Sequence, residues 1–265
     1  MSSILELFWL VPLGFVAGGY GTLIGAGGGF ILAPTLLLIY PGEAAETLTV
    51  TSLSVVFFNS LSGTLAYLRS GRIDFKSGLI FALATMPGAV AGALTTAAIS
   101  RARFNLLFGV LLIVVAAFLA VNPRSKSVAA MAQAEGDAKR QLTRGTMIIG
   151  AGVSTIFGFI SSFLGIGGGV LYVPALVYLM KYPVHVATAT SLFVLALTSL
   201  TGSVTHYAAG LFDQGFRQAV GLSIGAIVGA QIAARLSRHI RGDWIIRSLA
   251  VALAVVGLRL VVLAV

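Results

Sequence analysis

Twice in this chain, 140 residues apart, a long apolar run ends in a glycine cluster and a shorter apolar run with a proline begins. The two stretches are Gly25-Ala-Gly-Gly-Gly-Phe-Ile-Leu-Ala-Pro34 and Gly165-Ile-Gly-Gly-Gly-Val-Leu-Tyr-Val-Pro174. In water such a cluster is a loop. Inside lipid, backbone without helical partners is tolerated only where protein packs it or a polar cavity receives it. A helix that stops and restarts there presents the free N–H groups and positive dipole end of its second half to whatever occupies the break. The pattern points to an anion site made of backbone, present in two copies.

Composition supplies the lipid. The chain is 58% hydrophobic and 9% charged, with a mean hydropathy of +1.01, whereas soluble domains carry about 25% charged residues. This is the composition of an all-α, polytopic integral membrane protein. Apolar segments fall at Ile4–Ile24, Phe30–Tyr40, Ala45–Leu68, Phe75–Ile99, Phe104–Val121, Thr146–Leu164, Val170–Met180, Val184–Ala208, Phe216–Leu236 and Trp244–Val265. Most reach the ~20 residues needed to span a bilayer; the second and seventh are half-helices. The first run carries Glu6, has no basic region before it and reads as an uncleaved segment. The absence of cysteine excludes disulfides and thiolate metal sites. The net charge of +9 sits in loops, where it sets topology rather than recruiting nucleic acid.

The chain divides into an N-terminal repeat (1–121), a polar linker (122–143) and a C-terminal repeat (144–265). Thr51-Ser-Leu53 recurs as Thr190-Ser-Leu192, Gly71-Arg-Ile-Asp74 as Gly210-Leu-Phe-Asp213, and Gly88/Gly92 as Gly225/Gly229. Repeats of this kind build many secondary transporters. If each glycine break reverses the chain, each repeat has five segments and the second is inverted. One side then holds thirteen of the seventeen Lys and Arg, leaving Arg101, Arg103, Arg217 and Arg259 on the other. Running the chain straight through the breaks gives a nearly even split. The positive-inside rule favours the first arrangement, with a re-entrant hairpin in each repeat, both termini outside and the linker in the cytoplasm. Six to eight full crossings are expected.

Candidate substrate-binding residues follow from the breaks and the polar stripes beside them. Gly27, Gly28, Gly29 and Phe30 open the first half-helix, and Gly167, Gly168, Gly169 and Val170 the second. On the segment from Ala45 to Leu68, Ser52 and Asn59 share a face at helical spacing with Thr51 adjacent; the copy places Ser191 and Thr198 together with Thr190 adjacent. Hydroxyl and amide donors complete a shell around an oxyanion without a fixed charge, and equally serve as ordinary interhelical hydrogen bonds. Gly88/Gly92 and Gly225/Gly229 have the spacing of a helix-packing motif. No Asp or Glu lies in mid-span, so the buried carboxylate relay of many proton-driven transporters is missing. His185 and His206, near segment ends, read as interfacial residues. No spacing suggests a metal site, a cofactor or a catalytic constellation, so the protein is read as a non-enzyme.

The paired glycine-plus-proline elements, the Thr-Ser-Leu elements and the Gly-x-x-Asp loops together resemble the sulfite exporter TauE/SafE family over nearly the whole chain outside the linker. The resemblance implies a bacterial inner-membrane permease for sulfite, organosulfonates such as sulfoacetate, or another organosulfur anion. The residues themselves imply only a small, backbone-bound anion. The expectation is a secondary transporter working by alternating access, with an anion channel using the same site, or a membrane subunit, as the rival readings. The coupling ion (H+ or Na+), the direction of transport and homo-oligomerisation are open at this stage.

Overall fold

The computed structural model describes residues 2–96, 98–121, 144–210, 215–237 and 242–264, and among these there is no strand. The helices are α1 (Ser2–Ile24), α2 (Gly29–Ile39), α3 (Ala45–Leu68), α4 (Phe75–Thr96), α5 (Arg101–Val121), α6 (Arg144–Leu164), α7 (Gly169–Pro174), α8 (Val184–Ala208), α9 (Phe216–Leu236) and α10 (Gly242–Ala264). The linker and Asp213, the acidic end of the second Gly-x-x-Asp loop, lie outside the described residues. Six described stretches are long and apolar enough to cross a membrane: Ala45–Leu68, Phe75–Thr96, Arg101–Val121, Met147–Leu164, Val184–Ala208 and Phe216–Leu236. Gly29–Ile39 and Gly169–Leu179 are apolar but too short, as the sequence pattern requires.

Two boundaries differ from expectation for identifiable reasons. The fifth helix begins at Arg101 rather than Phe104, and Arg101, although part-exposed, is engaged with the protein backbone. Its guanidinium donates to the carbonyl oxygens of Leu37 (2.6 Å), Tyr40 (3.3 Å) and Pro41 (2.9 Å), and also to that of Glu43. The last carbonyls of any helix lack intrahelical partners, so this one cation closes the end of α2. The second half-helix is not uniform. At Pro174, which has no N–H to give, the α-helix passes into a π-turn over Ala175–Leu179.

The two repeats interlock. Helix α1 packs along α9 and α4 along α6, α5 meets α10, and α3 meets α8, with α3–α9 and α4–α8 completing the set. Since α6 is the copy of α1 and α9 the copy of α4, each contact has its counterpart in the other repeat. Small residues make this possible. Gly88 and Gly92 face the Thr155 and Phe159 carbonyls, and Gly225 and Gly229 face those of Val11 and Phe15. Both pairs therefore serve close backbone packing, as their spacing suggested. The central helices α3 and α8 are copies that run antiparallel: Gly63 lies against Leu192, and Gly202 against Leu53.

The distribution of polarity is that of a protein in lipid. Leu83 and Leu94 of α4, Leu107 and Val114 of α5, and Val228 and Ile232 of α9 are exposed. Thr49, Ser52, Asn59 and Ser60 of α3, and Thr188, Ser191, Thr198 and Ser199 of α8, are buried. So wide an apolar exterior is unstable in water and matches hydrocarbon.

Candidate functional site

The chain reverses at each glycine break. The rings of Tyr20 and Phe30 meet at a tilt with centroids 6.3 Å apart, and those of Trp9 and Tyr40 with centroids 6.4 Å apart, so α2 returns along α1. Phe157 and Tyr172 meet at 5.3 Å across the second hairpin, where the Tyr172 hydroxyl lies 3.5 Å from the Ser154 carbonyl. Glycine is what permits the turn. Gly25, Gly27 and Gly28 have φ of 77°, 73° and 78°, and Gly165, Gly167 and Gly168 repeat this with 71°, 74° and 81°. These left-handed values carry little cost only without a Cβ.

The restart of each half-helix leaves amide groups over. The Gly28 carbonyl accepts from the N–H of Ile31 and Leu32, and the Gly168 carbonyl from those of Leu171 and Tyr172. The N–H groups of Gly28, Gly29 and Phe30, and of Gly168, Gly169 and Val170, find no acceptor among the described residues, and all six residues are buried. Two hydroxyls without partners adjoin them: Ser60 Oγ beside Gly27 and Ser161 Oγ beside Gly168.

The breaks meet each other. Gly29 packs on the Ile166 carbonyl, and Gly169 on Ala26 and the Gly25 carbonyl. Two aliphatic side chains fill the middle. Val56 touches Gly27, Gly29 and Gly167, while Leu195, its counterpart in the repeat, touches Gly27 and Gly169.

The expected hydroxyls divide into those on the breaks and those directed elsewhere. Ser52 Oγ donates to the Gly165 carbonyl at 2.7 Å, and Ser191 Oγ to the Gly25 carbonyl at 2.9 Å. Each thus holds the break of the opposite repeat. Asn59 accepts from Thr22 Oγ1 at 3.3 Å through its amide oxygen, and its Nδ2 has no partner although the residue is fully buried. Thr51 turns onto its own helix, donating to the Thr47 carbonyl at 2.8 Å. Thr198 pairs with Thr85 of α4 at 2.9 Å, and Thr190 Oγ1 accepts from the Asp74 N–H at 3.1 Å. These three are not gathered at the breaks. His206, expected at the interface, is instead 0% exposed.

Charge is kept away from this centre: among the residues whose side chains are described, no Asp, Glu, Lys or Arg is buried. The nearest organised acid is outside the spans. Asp74, in the loop after α3, accepts from the Tyr182 hydroxyl at 2.6 Å, the Ser77 hydroxyl at 2.8 Å and the Ser77 N–H at 3.2 Å. Burial works to raise the Asp74 carboxyl, but the hydrogen bonds from Tyr182 and Ser77 outweigh it and hold the group below the usual carboxylate range. The Tyr182 hydroxyl is pushed up by burial and by Asp74, so it stays a donor. No group of three or more His, Cys, Asp or Glu side chains able to hold a metal occurs among the described residues.

Comparison with known proteins adds the lineage. The family described as Sulfite exporter TauE/SafE matches residues 10–260, a range that includes both glycine breaks. The chain belongs to the TauE/SafE family. Its relatives include the "Probable membrane transporter protein YunE" of Bacillus subtilis, 32% identical over 264 residues and covering 95% of this chain and 96% of the relative. A "Probable membrane transporter protein" of Methanocaldococcus jannaschii is 32% identical over 213 residues, 77% of this chain and 75% of the relative. One from Xylella fastidiosa is 29% identical over 226 residues, 83% of each chain. No solved structure matches. This TauE/SafE protein is therefore a multi-pass membrane transporter. Sequence reasoning missed Val56, Leu195 and Ser161 at the breaks, and the anchoring role of Arg101. The first two were detectable as an aliphatic pair sharing the 139-residue offset of the Thr-Ser-Leu elements.

Proposed function

We propose that the protein is a secondary transporter of a small sulfur-containing anion, sulfite or an organosulfonate such as sulfoacetate, across the cytoplasmic membrane. The observation that carries this reading is the pair of buried glycine breaks whose leading N–H groups have no protein acceptor. An unpaired buried amide costs about 1–3 kcal/mol, so six of them in one region call for a ligand that accepts hydrogen bonds. Helix N-termini favour negative charge. The anion is held by the amides of Gly28, Gly29 and Phe30 and of Gly168, Gly169 and Val170, with Asn59 and Ser60 as side-chain donors. Ser52 and Ser191 fix the breaks from across the repeat rather than meeting the anion. Thr51, Thr190 and Thr198 stand outside this set.

Val56 and Leu195 separate the two breaks in the closed arrangement, and the anion enters as they part. Alternating access comes from rocking one inverted repeat against the other around the breaks. Reciprocal helix contacts and the antiparallel α3–α8 pair support the inverted arrangement. The linker is cytoplasmic and both termini are outside, which matches the distribution of basic residues. A site of amides and hydroxyls binds without a fixed cation, so release is not slowed by a strong ion pair.

Counterflow in proteoliposomes tests the reading. Purified protein loaded with unlabelled sulfite or sulfoacetate is expected to take up the labelled anion in a saturable manner. Lack of exchange for every sulfur oxyanion and sulfonate tried rejects the substrate class. Flux far above about 10³ per second, the upper end of ordinary turnover, replaces the carrier with a channel.

A further inference from the structure

We infer that His206 is the proton-binding group that couples anion movement to a proton gradient, an inference that rests on the transport reading above. Among the described residues His206 is the one wholly buried side chain whose charge can change near neutral pH. Its Nε2 lies 3.5 Å from the Ser162 carbonyl of α6, and its Nδ1 has no partner. Ser162 Oγ is also without a partner and rests against Gly202, one turn before His206. Ser162 precedes Gly165 by three residues, so the ring stands on the approach to the second break. An ionisable group inside a membrane is expensive to keep and marks ion pathways.

The charges around the ring are few. Glu46, in the first turn of α3, is the single charged residue of that helix. The single charged residue of α4, Lys76, lies towards the start of α8, since Gly78 meets Phe193 and Thr85 bonds Thr198. From Gly145 to Met180, α6 and the half-helix of α7 carry no charged residue. With so little countercharge, a buried imidazole stays neutral while the break is empty. An anion arriving at the break supplies the missing charge and favours protonation at Nδ1; by linkage, protonation favours the anion to the same extent. For a monoanion, the loaded protein then crosses with no net charge added. The counterpart of His206 in the first repeat is Tyr67, also buried and unable to take up a proton near neutral pH. One proton per anion follows.

The test uses the full chain and sulfite as the probe. In weakly buffered detergent with a pH dye, saturating the wild type with sulfite is expected to take up close to one more proton per site than it does in His206→Gln; sulfite's own buffering cancels in that difference. His206→Gln and His206→Asn are both expected still to exchange sulfite when it is saturating, but with a half-saturating concentration raised severalfold, because the protonation that favours the anion is gone. The coupling is overturned, with transport intact, if wild type and variants take up equal numbers of protons. Loss of counterflow in both variants makes His206 a structural residue and overturns it as well. A wild type that exchanges no sulfite removes the transport reading and this inference together.

Discussion

At the scale of single residues, the account depends on glycines that cannot be exchanged. Gly28 has a left-handed φ and lies against the Ala17 carbonyl, and Gly168 lies against Ser161. A side chain at either position is both strained and crowded. Gly28→Leu and Gly168→Leu are expected to abolish anion exchange while leaving the protein in the membrane, judged by the amount recovered from washed membranes. Near-normal flux in both rejects the breaks as the binding site. The serine ties are milder. Ser52→Ala and Ser191→Ala each remove one cross-repeat bond worth about 0.6 kcal/mol within a membrane bundle. Each is expected to lower stability by that order in a denaturant titration, with little change in insertion. The sequence placed Ser52 with Asn59 on one face of the first segment and Ser191 with Thr198 on one face of its copy, but could not say which atoms they address. A hydroxyl at helical spacing looks the same whether it meets a ligand, as proposed for Ser60, or a carbonyl of the other repeat, as Ser52 does.

At the scale of elements, a half-helix is stable only if both ends are provided for. The start of α2 faces the other repeat; its end is closed by Arg101 through four backbone carbonyls. Hydrogen bonds from a charged donor are each worth about 1.5–3 kcal/mol, and one cation shared among four acceptors is part-exposed. Arg101→Ala is expected to cost about 2 kcal/mol of stability, with Arg101→Lys recovering part of it, because an ammonium lacks the planar fork. Equal stability of all three proteins in a thermal-shift assay contradicts this role. The apolar runs made α3, α8 and α9 legible to the residue, since hydropathy changes sharply at their ends. The start of α5 was not legible, because a used arginine and a solvated one have the same sequence signature. The π-turn after Pro174 was likewise hidden: Pro34 lies at the matching place in α2, which continues as an α-helix.

At the scale of the whole molecule, the repeats are tied at their rims as well as at the breaks. Asp74 of the first repeat is bonded by Tyr182 of the second. Its carboxyl is held below the usual range, so this tie contributes stability above the ordinary carboxylate value of about 4 and loses it as pH falls through the lower folded value. Stability of the wild type is expected to fall as pH drops below about 4, with Asp74→Asn removing that part of the fall. A sensitivity to acid that is identical in the variant contradicts the assignment. The repeats and the count of basic residues are what suggest an inverted arrangement, but nothing in the sequence pointed to the interlocking of α1 with α9 and of α4 with α6. Sequence repeats specify which helices correspond and not which ones touch. Reporter fusions in the linker and at the C-terminus are expected to report opposite sides of the membrane; agreement between them rejects the inversion. The central claim is that peptide N–H groups at two helix breaks receive the anion. Solid-state NMR of protein labelled with ¹⁵N-glycine, recorded with and without saturating sulfite, addresses it directly. Gly28, Gly29, Gly168 and Gly169 are expected to shift strongly while the packing glycines Gly88, Gly92, Gly225 and Gly229 stay unchanged; unmoved break glycines in protein that still exchanges sulfite contradict the claim.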